Sequence, residues 1–252
     1  MIKISEISKS YGGVVALKNV SFTVGGQTIH GLIGPNGSGK TTLLNIVSGL
    51  DTPGAGHLAL NGKPISGLPP YLIAAEGLAR TYQNIRLFQN LTVEENLALG
   101  RHRHYGGFWS GLYRSYKTGT YIGKEDRRVI DDLLHWVGIH HLKGRLASEA
   151  SLAERRKIEI ARALCASPKV LLLDEPVAGM HAVEKREMGE IIKKVKQLGV
   201  TVLIVDHDMT TIMSVCDSIT VLKLGSVIIT GAPSTVKEDS RVIEAYLGVD
   251  DA

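Results

Sequence analysis

The chain has no long hydrophobic run and contains only two cysteines among its 252 residues. Its apolar runs, such as 170–173 and 202–205, are far shorter than the ~20 residues that a membrane-spanning helix needs. The N-terminus has no apolar block ahead of a small-residue cleavage site, so we expect no secretory signal. Cys165 and Cys216 lie in apolar surroundings, which favours core thiols in a reducing compartment over a disulfide.

The chain also has no concentrated charge of either sign. Its 29 basic residues are scattered among 25 acidic ones, the net charge is +4, and no five like charges stand in a row. Because a nucleic-acid-binding protein needs basic side chains clustered on one face, we expect no nucleic-acid partner. A content of 44% apolar and 21% charged residues is that of an ordinary globular protein, long enough to bury a sizeable core.

Buried strands are predicted to alternate with helices along the chain. The continuous apolar run 170–173 is typical of a strand covered on both faces of a parallel sheet, and residues 200–205 form a second predicted buried strand. An amphipathic helix over 184–198 separates the two. Residues 28–33 form a further predicted strand, whereas residues 88–164 are predicted to be mostly helical. This alternation predicts an α/β fold whose sheet core is interrupted by a helical insertion.

The strongest motif is a glycine-rich segment between a predicted strand and a predicted helix. Its sequence, Gly34-Pro-Asn-Gly-Ser-Gly39-Lys40-Thr41, matches G-x-x-x-x-G-K-[ST]. Glycines let such a loop turn its backbone N–H groups onto phosphate oxygens, and the positive end of the helix dipole adds to the attraction. In this pattern Lys40 reaches the β- and γ-phosphates, and the Thr41 hydroxyl ligates Mg²⁺. The predicted binding residues are Gly34, Asn36, Gly37, Ser38, Gly39, Lys40, Thr41 and Thr42.

Two acidic residues, Asp174 and Glu175, end the apolar run 170–173. Because side chains alternate along a strand, these two point in different directions. One of them can hold the water shell of Mg²⁺ while the other faces an attacking water as a general base. The alternative is a polar strand end ahead of a turn at Pro176.

A histidine stands at the end of the strand over 200–205, in Asp206-His207-Asp208. Parallel strands of one sheet deliver their carboxyl ends to one edge, where ligands bind. We therefore expect the phosphate loop, the carboxylates and His207 to converge, with His207 at the γ-phosphate. The alternative is that His207 is an ordinary surface residue.

Over nearly its whole length the chain resembles the nucleotide-binding subunit of ABC transporters. The resemblance implies that Tyr11 stacks on adenine and that Gln83 contacts Mg²⁺ and the attacking water and links the site to a membrane partner. It also implies that Asp174 is the Mg²⁺ carboxylate, Glu175 the catalytic base and His207 the γ-phosphate switch. The expected cofactors are ATP and Mg²⁺, and the expected activity is ATP hydrolysis coupled to transport.

The same resemblance implies a single ABC ATPase domain with a P-loop NTPase core of the RecA-like kind, an N-terminal antiparallel β subdomain and an inserted helical subdomain. We expect the core, with the β subdomain, over residues 1–87 and 165–230. The helical subdomain and its signature helix are expected over 88–164, and a C-terminal tail over 231–252.

The resemblance implies partners as well. They are integral membrane permease subunits, a second ATPase subunit, identical or not, and indirectly a periplasmic or extracellular solute-binding protein. Two ATPase subunits would dimerise head to tail and enclose two ATP molecules. The chain is then expected in the cytoplasm, peripherally on the inner face of the cell membrane.

A narrower resemblance concerns the segments 77–88, 91–97 and 242–248. They are similar to the longer of the paired ATPases of branched-chain amino acid importers, so we expect an ATPase that energises uptake of a small polar solute of this class. Related importers of urea and other small amides or acids share these segments. Two alternatives stay open: a soluble ABC ATPase scaffold without a membrane partner, and a nucleotide-binding module that hydrolyses weakly.

The chain departs from the family pattern at two places. The signature Leu-Ser-Gly-Gly-Gln is replaced by the segment 150–154, in which only Ser151 survives. We expect Ser151 to contact the γ-phosphate bound by the partner ATPase, while Ser151 and Glu154 also fit a capping box that opens a helix. His181 stands where the family usually has an acidic residue or Asn, and both a contact across the dimer and an exposed loop position stay open.

Residues 101–125 hold six of the 13 aromatic residues of the chain and suit either a contact surface or a packed helical hairpin. Four histidines nearby lack the ligand spacing of a metal site, so we expect none there. They are His102, His104, His140 and His141.

Overall fold

The structure is a computed structural model, and it describes residues 2–101 and 122–247. The aromatic segment, His102 and His104 therefore lie largely or wholly outside the described residues. The described chain forms two compact units, one from the residues up to Arg80 and from Lys169 onward, the other over Thr81–Pro168. No helix in these two described stretches is both long and apolar enough to cross a membrane.

The first unit contains two sheets and six helices, as far as the described residues extend. Its strands are β1 (Ile2–Tyr11), β2 (Val14–Val24), β3 (Ile29–Ile33), β4 (Ala55–Leu60), β5 (Lys63–Pro64), β6 (Leu78–Arg80), β7 (Val170–Asp174), β8 (Thr201–Val205), β9 (Ser218–Lys223) and β10 (Ser226–Gly231). The helices of both units, numbered together, are α1 (Lys40–Val47), α2 (Pro70–Ala75), α3 (Val93–Gly100), α4 (Lys124–Trp136), α5 (Leu152–Cys165), α6 (Ala182–Gln197), α7 (Met209–Val215), α8 (Pro233–Glu238) and α9 (Ser240–Leu247). Helices α3, α4 and α5 belong to the second unit, with short 3-10 turns at His140–Leu142 and Ala147–Glu149.

A six-stranded sheet with the order β10-β9-β3-β8-β7-β6 forms the centre of the first unit. All its neighbours pair in parallel except β10, which is antiparallel to β9. Every residue of β3, β7 and β8 is buried, as the continuous apolar runs predict. The α/β prediction is therefore confirmed, and the carboxyl ends of β3, β7 and β8 lie side by side.

The second sheet is antiparallel, in the order β2-β1-β4-β5. Gly12-Gly13 turns β1 into β2, so that Tyr11 pairs with Val14. Apolar side chains alternate along β2, with Val20, Phe22 and Val24 buried, because only one face of this sheet meets the core. That core also includes Leu43 and Leu44 of α1 and thus fixes the helix that follows the glycine-rich loop.

A buried histidine links β3 to the neighbouring strand β9. The two ring nitrogens of His30 lie 2.7 and 2.8 Å from the hydroxyls of Ser218 and Thr220, and the ring stacks on Phe22 with 5.3 Å between centroids. Burial lowers the pKa of His30 to about 4. The ring is therefore neutral in the folded protein near pH 7.

Replacing His30 with glutamine should flatten the dependence of stability on pH. As the pH falls, the unfolded imidazole binds its proton near pH 6.5 and the folded one only near 4, so folding loses stability in between. From pH 7 to pH 5 we expect His30 to lower the free energy of unfolding by about 2 kcal/mol. Urea denaturation at both pH values measures it. The exposed His57→Gln variant should keep the wild-type pH dependence, and a His30→Gln variant that also keeps it would contradict the neutral buried ring.

The second unit is held by polar contacts made within it. Arg101, at the end of α3, forms a buried ion pair of 2.8 Å with Asp126 of α4. The first turn of α3 is closed by a capping box between Thr92 and Glu95. In the described part of the predicted helical segment 88–164, which is 88–101 and 122–164, most residues lie in α3, α4, α5 or the two 3-10 turns.

The chain passes from one unit to the other at 80/81 and at 168/169, whereas the predicted domain borders are 87/88 and 164/165. Residues 81–87 group with the second unit because side chains of α5 hold their backbone, as described below. The segment 231–252, predicted only as a tail, carries α8 and α9 as far as Leu247. Both cysteines are buried and free, as predicted, and burial raises the pKa of each thiol to about 12.

Candidate active site

The glycine-rich loop joins β3 to α1 and has the backbone that its sequence predicts. Gly34 has φ of +149° and Gly39 has φ of +102°. A Cβ on Gly34 would lie 2.1 Å from the carbonyl oxygen of Leu222, and one on Gly39 would lie 2.6 Å from that of Ala16. No other side chain fits at these two positions without moving the backbone. The loop is thus curled at the N-terminus of α1, where free N–H groups can bind an anion.

Lys40 folds back over this loop. Its ammonium donates to the carbonyl oxygens of Gly34 and Pro35 at 2.8 and 2.9 Å. Desolvation by burial lowers the pKa of Lys40, while the charge of Glu175 raises it. Since Lys40 is the only cationic side chain between residues 34 and 41, it is the group that can neutralise a bound phosphate.

Asp174 and Glu175 stand at the carboxyl end of β7. Asp174 is buried and bonds to the guanidinium of Arg80 at 2.9 Å. Glu175 has φ of +48°, which is unusual for a residue with a side chain, and its N–H donates to Val205 at 2.8 Å. A strained backbone held by a neighbouring strand is a frequent feature of functional sites.

His207 lies beside Glu175. Nδ1 of His207 is 3.8 Å from Oε2 of Glu175, and its side chain is 66% exposed. The preceding Asp206 is buried and accepts from the N–H of Asp208 at 2.9 Å, which fixes the turn after β8. Because β7 and β8 are neighbours, their polar strand ends meet as predicted. This arrangement gives a carboxylate and an imidazole that face solvent beside the phosphate-binding loop.

Tyr11 is held at the end of β1, with about half of its surface exposed. Its hydroxyl donates to Asp51, which also pairs with Lys9 at 2.6 Å. The hydrogen bond to Asp51 raises the pKa of Tyr11, and a hydrogen bond with Thr42 of α1 opposes that rise. The ring therefore stands next to the helix that starts at the phosphate loop, where it can stack on a flat ligand.

Gln83 and Ser151 belong to the second unit. Arg156 of α5 donates to the backbone oxygens of Tyr82 and Gln83 at 2.8 and 2.6 Å, so the glutamine segment is attached to α5. Ser151 is exposed and caps the N-terminus of the same helix. The predicted capping box is confirmed, because the N–H of Ser151 donates to Glu154 at 2.8 Å and the N–H of Glu154 to Ser151 at 3.3 Å.

His181 is exposed at the N-cap position of α6, and its backbone N–H donates to Glu184 at 2.8 Å. His140 lies 3.5 Å from Asp131, and His141 lies 3.5 Å from Glu154. In the described stretches no three His, Cys, Asp or Glu side chains come together as a metal site. A Mg²⁺ ion is compatible with this, because it commonly binds through one or two protein oxygens together with substrate phosphates. Asp174 and the Thr41 hydroxyl are the hard oxygen donors that such an ion takes.

Two residues of this region were not singled out in the sequence. Arg80 looks like any basic residue at the end of a three-residue strand, and Asp206 like the first residue of a polar strand end. The packing of β6 against β7 brings Arg80 to Asp174, and the packing of β7 against β8 brings the N–H of Val177 to Asp206 at 3.4 Å. A buried charge next to a motif carboxylate is a tertiary property, and no local pattern carries it.

A family model described as ABC transporter matches residues 17–178, which include the loop and Asp174. This chain belongs to the ABC transporter family. It is therefore an ATP-binding cassette with the ATPase activity of that family, and the predicted family and enzyme class are confirmed. A second family model, described as branched-chain amino acid ATP-binding cassette transporter, matches residues 226–252.

Individual ABC proteins match this cassette over nearly its whole length. It is 36% identical to the high-affinity branched-chain amino acid transport ATP-binding protein BraF of Pseudomonas aeruginosa, and the alignment covers 98% of both chains. It resembles the ADP conformation of an ABC transporter cassette with a TM-score of 0.87, at 29% identity and 98% coverage of both chains. It also resembles a dimeric cassette in a post-hydrolysis state with ADP and Pi, with a TM-score of 0.78, at 25% identity over 92% of this chain and 99% of the other. These likenesses confirm the predicted P-loop NTPase fold.

Proposed function

We propose that the chain is the ATP-hydrolysing subunit of an ABC importer that takes up branched-chain amino acids. The observation that carries the proposal is the match of residues 226–252 to the branched-chain amino acid family, at the end of a cassette whose loop and strand-end groups are all present. The near-complete alignment with BraF supports the same substrate class.

The nucleotide is proposed to bind at the glycine-rich loop. Backbone N–H groups of Gly34 and of residues 36–42, together with the ammonium of Lys40, take the phosphates, while Tyr11 stacks on the adenine. Lys40 would leave the carbonyl oxygens of Gly34 and Pro35 and turn to the β- and γ-phosphates, a short movement of a flexible side chain. When bound, Mg²⁺ neutralises charge on those phosphates, with Thr41 and Asp174 as the residues that would hold it.

Hydrolysis is proposed to depend on Glu175 and His207. Glu175 accepts the proton of the attacking water, and His207 contacts the γ-phosphate. Their separation of 3.8 Å supports this pairing, because two groups this close can both reach one bound water or phosphate. Phosphoryl transfer to water then needs positioning and charge neutralisation rather than a covalent intermediate.

We further propose that two such subunits dimerise, so that Ser151 and the N-terminus of α5 face the γ-phosphate bound by the partner. Free N–H groups at a helix N-terminus bind anions even without the glycines of the family signature. The likeness to a dimeric cassette supports this arrangement. The remaining proposed partners are permease subunits, which would hold the chain at the inner face of the membrane, and a solute-binding protein.

Replacing Ser151 with alanine separates capping from nucleotide contact. If Ser151 acts mainly across the dimer, ATP hydrolysis with the membrane partner falls, while the melting temperature of the nucleotide-free monomer hardly changes. If Ser151 is only a cap, the monomer loses about 1 kcal/mol of stability and turnover is undiminished. We expect the first result, because Glu154 still accepts from the N–H of residue 151. The second result would remove Ser151 from the site.

Uptake measurements test the transport assignment. The chain is co-expressed with permease subunits of a branched-chain amino acid importer, purified, and placed in proteoliposomes with a solute-binding protein of the same class. We expect ATP-dependent uptake of labelled leucine that stops with Glu175→Gln. Purification of the chain without membrane subunits, and no uptake, would favour the soluble scaffold instead.

A further inference from the structure

Arg80 connects the metal-site carboxylate to the helix of the phosphate loop. One terminal nitrogen donates to Oδ2 of Asp174 at 2.9 Å. The other donates to Oδ1 of Asn45 at 2.9 Å and to the hydroxyl of Ser48 at 2.8 Å. Side chains of Arg80 and Asp174 are only 5% and 8% exposed, so this contact is made inside the first unit.

The two residues at α1 that accept from Arg80, Asn45 and Ser48, lie on the same side of that helix. Thr41, Asn45 and Ser48 are spaced i, i+4 and i+7, which places them above one another on a helix. Thr41 is the proposed hydroxyl ligand, one turn before Asn45. Arg80 therefore bonds to the same helix face that presents Thr41, and at the same time to the carboxylate on β7.

We propose that Arg80 is a positioning residue that sets the distance between Asp174 and the Thr41 face of α1, and thereby the affinity of the site for Mg²⁺. This inference rests on the proposed function, in which Asp174 and Thr41 hold the ion. Arg80 itself contacts neither nucleotide nor metal. It fixes one carboxylate oxygen and leaves the other for the ion or its water shell.

A lysine at this position keeps the charge but not the geometry. A guanidinium presents several donors in a rigid plane and can bond to Asp174, Asn45 and Ser48 at once. An ammonium on a flexible stem lacks that planar fork. Partners that orient metal ligands typically contribute roughly 10–100-fold in metal affinity, so Arg80→Lys should show a loss of about 10-fold.

The test measures binding of a non-hydrolysable ATP analogue by isothermal titration calorimetry, once in EDTA and once in Mg²⁺. The dissociation constant in EDTA divided by that in Mg²⁺, which we call the Mg²⁺ ratio, reports the contribution of the metal to binding without any turnover. For Arg80→Lys we expect a Mg²⁺ ratio lowered by about 10-fold, with binding in EDTA close to wild type. A merely structural role would instead weaken binding in both conditions alike.

Arg101→Lys is the matched control. Arg101 and Asp126 form an ion pair of the same kind, 2.8 Å long and 9% and 8% exposed, but within the second unit. This variant should lower the melting temperature and leave the Mg²⁺ ratio unchanged. If Arg80→Lys does not fold, Asn45→Ala removes one acceptor of Arg80 and should lower the Mg²⁺ ratio in the same direction.

The Asp174→Asn variant shows whether a failed prediction concerns only the positioning role of Arg80 or the metal site itself. If it lowers the Mg²⁺ ratio but Arg80→Lys or, failing that, Asn45→Ala does not, the positioning role of Arg80 is wrong and the metal site stands. If Asp174→Asn leaves the ratio unchanged, the metal assignment itself is wrong, and the role of Arg80 falls with it.

Discussion

Glu175→Gln is expected to reduce ATP turnover by about 100-fold or more while leaving ATP affinity near wild type. Glutamine has the size of glutamate but cannot accept a proton from the attacking water. The residues of the loop that bind the phosphates are unchanged in this variant, and the charge of Glu175 is one influence on Lys40. Because the bound ATP is no longer cleaved, the variant should accumulate as an ATP-bound dimer.

Steady-state phosphate release and size-exclusion chromatography with ATP measure the two effects. Glu190→Gln is a suitable control, because Glu190 lies on α6 and pairs only with the exposed Lys193 at 3.0 Å in the described structure. It should hydrolyse ATP like the wild type. A Glu175→Gln variant with near wild-type turnover would show that another group takes the proton.

Lys40→Ala should abolish ATP binding. The loop then has no cationic side chain to set against the β- and γ-phosphates, and a charge-assisted contact that only this residue makes is lost. The ammonium also bonds to the carbonyl oxygens of Gly34 and Pro35, so the empty loop loses two hydrogen bonds as well. Fluorescent-nucleotide binding or calorimetry measures the effect.

Lys63→Ala removes a lysine of the same unit that pairs with Glu76 on the surface, and it should bind ATP normally. An affinity of Lys40→Ala within a few-fold of wild type would contradict the site at the loop. Circular dichroism of both variants shows whether the loss is one of binding or of folding.

The parts of the fold that carry strong local signals could be predicted from the sequence. Uninterrupted apolar runs gave β7 and β8 correctly, because a strand covered on both faces has no polar side to display. Glycines at 34 and 39 placed the loop, since their backbone angles exclude other residues. The convergence of Glu175 and His207 followed from a general property of parallel sheets.

Long-range contacts could not be predicted in the same way. Strand β6 has three residues, too few for any periodicity, yet it delivers Arg80 to Asp174, 94 residues away. The hydrogen bond between Tyr11 and Asp51 joins two residues that are 40 positions apart in the chain. The left-handed backbone of Glu175, whose N–H donates to Val205 of β8, is not indicated by its residue type. Each of these depends on which strands become neighbours.

The most direct test of the site is the structure of the Glu175→Gln variant with ATP and Mg²⁺. We expect the γ-phosphate at the ammonium of Lys40, the ion between Thr41 and Asp174, and residue 175 and His207 facing the terminal phosphate. The Ser151 end of α5 from a second copy should approach the same phosphate. ATP bound away from residues 34–42, or a γ-phosphate remote from residue 175, would contradict the proposed hydrolysis at this site.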